Sequence, residues 1–261
     1  MSESVGLRAT KLADPESGPD IPVIFLYPST SAAVLTQLGP YELEVAADGE
    51  PATSVKGVVL ISHGSGSTPL VYRNLGWGLA QAGYLVALPE HPGNNRNDNS
   101  LADSAEILLN RPRHLSIVLD HLEGTARSGG LGRVVVIGHS MGGYITLRSM
   151  VTTKDIKAGV IWAGVVVSYQ DLIERWHRPA SSSDPAIPER ARRWRSTLYE
   201  VYGAPEENPE FWDAISANSY LDDLSGPVQL HHATGDHSVP VEFSKILEKE
   251  IQEVGGLVEY W

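Results

Sequence analysis

Short unbroken apolar runs alternate along this chain with longer stretches in which apolar side chains recur every three or four positions. Runs of four to eight residues rich in Val and Ile, bounded by Gly, Pro or polar clusters, read as strands buried on both faces. They occur at Ile21–Tyr27, Gly57–Ile61, Tyr84–Leu88, Arg133–Ile137, Ala158–Gly164 and Pro227–His232, with a shorter one at Tyr41–Val45 and one beginning at Leu257–Trp261. Helical spacing predicts Leu70–Gly83 as a helix, with Leu75 and Leu79 on one face and Gly83 as its stop. A second is marked by Leu115, Val118, Leu119 and Leu122, a third by Tyr144–Arg148, and a fourth by Phe243, Ile246, Leu247, Ile251 and Val254 before Gly255-Gly256. Residues 1–20 are polar and are expected to form a loose leader. The alternation of strand and helix implies an α/β fold, a doubly wound, mainly parallel sheet with its ligand site at the C-terminal ends of the strands. A single domain over 21–261 is expected. It is interrupted over about 168–224 by a segment holding Trp176, Trp194, Tyr199, Tyr202, Phe211, Trp212 and Tyr220.

Composition narrows the function classes. At 261 residues, 42% hydrophobic and 20% charged, the chain has ordinary globular make-up and can bury a full core. A formal charge of −12 with no basic stripe excludes nucleic acid as an expected partner. There is no cysteine, hence no disulfide, thiolate metal site or cysteine nucleophile. No signal-peptide core and no apolar run long enough to span a membrane are visible, so a cytoplasmic protein is expected. The sequence sets no oligomeric state.

The chemistry concentrates in Gly138-His139-Ser140-Met141-Gly142-Gly143, a G-x-S-x-G lying between an apolar run and a helical pattern. That context makes it a nucleophile elbow, a sharp strand-to-helix turn that lifts a serine hydroxyl above the sheet. Gly138 and Gly142 supply the missing side chains such a turn demands. Two other landmarks also follow strands: His63-Gly64-Ser65-Gly66-Ser67, and Thr234-Gly235-Asp236-His237-Ser238-Val239-Pro240. In a parallel sheet these ends converge. Asp171, Asp222 and Asp223 are alternative acids, and Asp236 alternatively reads as a turn residue capping the next helix.

On these residues the chain resembles the α/β-hydrolase superfamily. The first half is similar to the dienelactone hydrolase and platelet-activating-factor acetylhydrolase branch, through Tyr27-Pro28, Leu38-Gly39-Pro40-Tyr41, Ser62-His63-Gly64, Pro89-Glu90-His91-Pro92-Gly93-Asn94 and Asn110-Arg111-Pro112-Arg113. The second half is closer to prolyl-oligopeptidase-like esterases, through Ile161-Trp162-Ala163-Gly164, Ser168-Tyr169-Gln170-Asp171-Leu172 and His231–Pro240. The resemblance implies Ser140 as nucleophile, Asp236 as the acid that orients a histidine, and the N–H groups of Ser65 and Met141 as the oxyanion hole. It also gives residues 168–224 the position of a cap, whose aromatics would either wall an acyl pocket or pack the cap onto the body.

The resemblance implies a catalytic histidine after the last strand, yet beyond His237 no histidine follows Asp236 before Trp261. The C-terminal strand and helix region is therefore expected to be truncated, and activity impaired. Among the other histidines, His63 and His91 follow strands and are candidate bases. His139 is expected to face away from the pocket toward a neighbouring strand. His237 adjoins Asp236, so their side chains diverge. His231 and His232 point to opposite faces of a strand, and His114, His121 and His177 read as surface helix residues. No metal-ligand spacing is present, and neither a metal nor another cofactor is expected. The resulting expectation is a serine hydrolase cleaving carboxylic esters of small-molecule substrates. The alternatives are a peptidase of prolyl-oligopeptidase type and a non-catalytic hydrolase-like binding protein.

Overall fold

The computed structural model describes residues 4–102, 104, 106–125, 132–175 and 196–261. The apolar runs form eight of the strands of one ten-stranded sheet, whose members are β1 (Ser4–Leu12), β2 (Ile21–Ser29), β3 (Val34–Leu38), β4 (Tyr41–Ala47), β5 (Val58–Ser62), β6 (Leu85–Pro89), β7 (Val134–His139), β8 (Ile156–Trp162), β9 (Val228–His231) and β10 (Val258–Tyr260). Their order is β10-β9-β8-β7-β5-β6-β2-β1-β4-β3. From β6 through β5, β7, β8 and β9 to β10 every pairing is parallel, while β2 joins β6 and β1 antiparallel. β5 is buried at every position, as a strand covered on both faces must be.

Three elements differ from the sequence expectation. Residues 4–12, expected in a loose leader, are β1, held to β2 through nine paired positions from Ser4↔Ser29 to Leu12↔Ile21. Arg113 pairs with Asp14 just beyond it, tying that end to the body. β3 is an edge strand with no buried position, so it carries no periodicity to find. Helix α2 runs from Glu106 to Thr125 with Pro112 inside it, starting well before Leu115. Ser104 Oγ accepts the Glu106 N–H at 3.1 Å and caps the start. Helix α1 (Arg73–Gln81) follows a 3₁₀ turn at Pro69–Tyr72, and α3 (Met141–Thr152) follows β7 directly.

Between β8 and β9 lie α4 (Tyr169–Arg175), a helical stretch over 196–202, α5 (Pro209–Ile215) and a 3₁₀ segment, Ala217–Asp223. Trp176, Trp194 and His177 lie outside the described residues. Trp212 is fully buried and Tyr202 stacks on Phe211 at 3.9 Å, so these aromatics pack on one another and on the body. Helix α6 (Glu242–Glu253) buries Phe243, Leu247 and Ile251 and leads through Gly255 into β10. No helix among the described residues is long and apolar enough to cross a membrane.

Candidate active site

The elbow sits where β7 turns into α3. Ser140 adopts φ 55°, ψ −118°, a conformation a side-chain-bearing residue rarely takes and one that costs on the order of 1–3 kcal/mol. Its surroundings hold it there. The Ser140 N–H donates to the Trp162 carbonyl at 2.9 Å, and the Ser140 carbonyl accepts from Gly143 at 2.9 Å and Val165 at 3.1 Å. The glycines are demanded by contact. A Cβ on Gly138 would lie 2.0 Å from the Gly142 carbonyl oxygen, and one on Gly142 would lie 2.1 Å from that of Ser62. The second contact seats the elbow helix directly against the end of β5, where the His63–Ser67 loop begins. Gly64 packs beside Ser140, since a Cβ there would meet the Ser140 Cβ at 3.4 Å.

Neither the Ser65 N–H nor the Met141 N–H is engaged by a hydrogen bond among the described residues. Met141 opens α3, so its N–H is one of the orphan donors of a helix start. Two unspent donors thus stand at the C-terminal ends of the adjoining strands β5 and β7, on the side of the sheet that carries Ser140.

Asp236 lies beyond β9, two strands from the elbow. Its Oδ1 accepts the N–H groups of Ser238 (2.7 Å) and Val239 (3.0 Å), and Oδ2 lies 3.6 Å from His232 Nε2. Burial works to raise its pKa, but those two N–H donors together with His232 and His139 bring it below the ordinary value, so the carboxylate is ionised at neutral pH. Asp236 thus also serves as a turn residue. Asp171 is committed elsewhere, exchanging hydrogen bonds with Ser168 at the start of α4. Asp223 lies 3.9 Å from Lys154, with both side chains largely exposed.

The histidines fall into unexpected places. His63 and His91 are fully buried, and both ring nitrogens of each are occupied. His63 Nδ1–H donates to the Gly64 carbonyl at 2.7 Å, while Nε2 accepts the His91 N–H at 3.3 Å. His91 Nε2 meets Ser62 Oγ at 3.0 Å, and its Nδ1 meets His114 Nδ1 at 3.2 Å. His114, expected on the surface, is 3% exposed and stacks on His91. Burial, reinforced by the nearby Arg111 charge, pushes His63 down to about 3, His114 to about 4 and His91 well below the usual value. None of the three hydrogen-bonds Ser140, and both ring nitrogens of His63 and His91 are engaged elsewhere. His139 donates to or accepts from the Tyr72 hydroxyl at 2.8 Å, a residue of the 3₁₀ turn rather than of a strand. His232 is buried between Ser244 and the Val239 carbonyl, and His231 stacks on Trp261. His121 and His237 are exposed. Among the described residues, no group hydrogen-bonds the Ser140 hydroxyl.

Two residues given no role from the sequence belong to this region. Tyr72 ties the 3₁₀ turn to His139 of the elbow, and Arg111 lies against the His63–Ser67 loop, 1% exposed. Arg111 stands in the Asn110–Arg113 stretch that carries the family resemblance, which was the one available signal. A separate cavity of about 810 Å³, lined by Lys56, Tyr84, Arg133 and Lys157 among others, opens at the strands' N-terminal ends, the end of the sheet opposite Ser140.

Residues 58–250 match the alpha/beta hydrolase family, and the chain belongs to it. One stretch is 30% identical over 113 residues to YitV of Bacillus subtilis (strain 168), named as an esterase, covering 41% of this chain and 44% of YitV. Another is 27% identical over 119 residues to a protein of Arthroderma benhamiae named as a 1-alkyl-2-acetylglycerophosphocholine esterase, covering 41% of this chain and 31% of that one. Each match spans less than half of the relative's length. Among solved structures, an acylaminoacyl peptidase of Pyrococcus horikoshii superposes with a TM-score of 0.69 at 17% identity, over 98% of this chain and 36% of the peptidase. A protein of Klebsiella pneumoniae titled a dienelactone hydrolase does so at 0.59 and 17%, over 98% of this chain and 85% of its own. At such identities these likenesses speak for the fold. Both branches expected from the two halves of the sequence are represented.

Proposed function

We propose that the chain is a serine hydrolase cleaving carboxylic esters through an acyl-enzyme on Ser140. The observation that carries this reading is the strained Ser140 backbone between two unspent N–H donors, those of Ser65 and Met141. Ser140 Oγ attacks the ester carbonyl, the carbonyl oxygen gains negative charge between the two donors, and the alcohol leaves. Water then attacks the acyl carbonyl and frees the acid. A serine hydroxyl needs a base to accept its proton, and a base needs an orienting acid, the role in which Asp236 is proposed. The names of the two curated relatives favour esters over peptides, and the acidic, cysteine-free composition fits a cytoplasmic enzyme acting on a small molecule.

The test is p-nitrophenyl acetate turnover together with fluorophosphonate labelling. The expected result is a single phosphonate adduct on Ser140, with both labelling and turnover lost in Ser140→Ala. Label on another serine that persists in Ser140→Ala sinks the assignment. Hydrolysis of an aminoacyl naphthylamide without ester turnover would make the protein a peptidase instead.

A further inference from the structure

Arg111 presents its guanidinium to the underside of the loop that carries Ser65. The group is 1% exposed, and among the described residues no carboxylate pairs with it. Its Nη1 donates to Asn94 Oδ1 at 2.8 Å, and its Nη2 donates to Ser62 Oγ at 3.3 Å and to the His63 carbonyl. Its buried Nε has no partner among the described residues. Burying a cation without a counter-charge is costly, and a well-packed apolar side chain would stabilise a core position more cheaply. Plain packing is therefore a poor account of an arginine here.

The contacts point to a different role. The His63 carbonyl lies just ahead of Gly64 and Ser65. Asn94, whose Oδ1 is fixed by Arg111, turns its Nδ2 to Ser65 Oγ at 3.0 Å and to Asn99 Oδ1 at 2.8 Å. Arg111 thus holds the loop by its backbone before Gly64 and, through Asn94, by the side chain after it. The loop is closed on itself by the Ser67 N–H donating to the Gly64 carbonyl (3.3 Å) and is stitched to the segment after β6 by the Arg96 N–H donating to the Ser67 carbonyl (2.8 Å). We infer that Arg111 is a positioning residue of the oxyanion site, a buried clamp that fixes where the Ser65 N–H stands relative to Ser140. Its kinetic consequence rests on the proposed ester hydrolysis, whereas its effect on the loop does not.

Arg111→Met, of similar length but without donors, is compared with the wild type at a temperature where both are folded. Amide exchange is read at Ser67 and Arg96, whose N–H groups are hydrogen-bonded, against β7 amides as reference. The expected result is exchange about tenfold faster at Ser67 and Arg96 with β7 unchanged, a loosening confined to the loop. For p-nitrophenyl acetate, kcat should fall about 10–100-fold while KM changes by less than about threefold, the pattern of an interaction made in the transition state. Unchanged exchange at the loop, or equal acceleration throughout the sheet, would overturn the inference. If Arg111→Met does not fold, Asn94→Ala removes the arm to Ser65, together with the Asn99 contact, and leaves the His63 carbonyl arm in place, and loop exchange at the wild-type rate in that variant overturns it equally. A wild type without ester turnover would refute the ester reading alone, leaving the exchange measurement to decide this one.

Discussion

Replacing Gly142 by alanine tests the packing on which the site depends. The added Cβ would stand 2.1 Å from the Ser62 carbonyl oxygen and 3.1 Å from that of His63. Carbon and carbonyl oxygen approach comfortably at about 3.3–3.6 Å, so the start of α3 and the end of β5 must part by roughly 1 Å. Both sides of the contact are backbone, and no rotamer change relieves it. Overpacking of this kind costs about 1–3 kcal/mol, occasionally more. At about 2–4 °C per kcal/mol for a chain of this size, a 3 kcal/mol loss lowers Tm by about 6–12 °C. The chemical effect should be larger, because the displacement separates the Ser65 N–H from the Met141 N–H. Losing one oxyanion donor costs on the order of 10²–10³ in kcat, so at least a hundredfold loss is expected. Calorimetry and p-nitrophenyl acetate turnover on the same preparations measure both. Gly78→Ala is the control: it lies in α1, and a Cβ there meets nothing within 4 Å. Alanine should stabilise that helix by about 0.5–1 kcal/mol and leave kcat alone. A Gly142→Ala protein with wild-type Tm and kcat, or a Gly78→Ala protein as impaired as Gly142→Ala, would refute the reasoning.

Acid should loosen the protein through its buried histidines. His63, His91 and His114 have folded-state pKa values pushed below the unfolded value by burial first and by the Arg111 charge second. Their neutral forms are the folded ones, so this contribution is complete above about pH 6.5 and is lost as pH falls from there toward 4. For His114, going from 6.5 to about 4, the loss is on the order of 3 kcal/mol. Urea midpoints measured from pH 8 down to 4 should fall steeply below 6.5, and a flat profile would contradict the burial of the cluster. Trp212→Ala removes a fully buried ring that donates Nε1–H to the Gly203 carbonyl at 3.2 Å. It should cost about 3–5 kcal/mol in urea unfolding, and a cost under about 1 kcal/mol would show that the ring is not part of the packed body.

Local rules were enough to read the elbow. A β-branched run, two glycines around a serine and a helical pattern in sequence define a strand–turn–helix, and the turn itself forces the backbone of Ser140 into its strained conformation. The inner parallel strands β5, β6 and β7 were legible for a related reason. A strand covered on both faces must be apolar at nearly every position, and that shows without knowing its neighbours. β1 and β3 were not legible. β1 mixes Arg8, Thr10 and Lys11 with its apolar residues and is defined by nine pairings to β2, while β3 is an edge strand with no buried position and so has no buried face to reveal.

The histidines mark the boundary most clearly. From helical spacing His114 belongs on a surface, and from strand-end position His63 and His91 are candidate bases. The tertiary structure instead buries all three around Arg111, because α2 packs its Arg111–His114 stretch under the loop between β5 and α1. Which polar side chains find partners inside a protein is set by residues from distant elements meeting in space. Sequence periodicity reports only one side of such a meeting. The chain alone therefore determined the fold class, the elbow and the glycines it requires. The protonation, burial and hydrogen bonding of the side chains around that elbow were decided only when the strands and α2 came together.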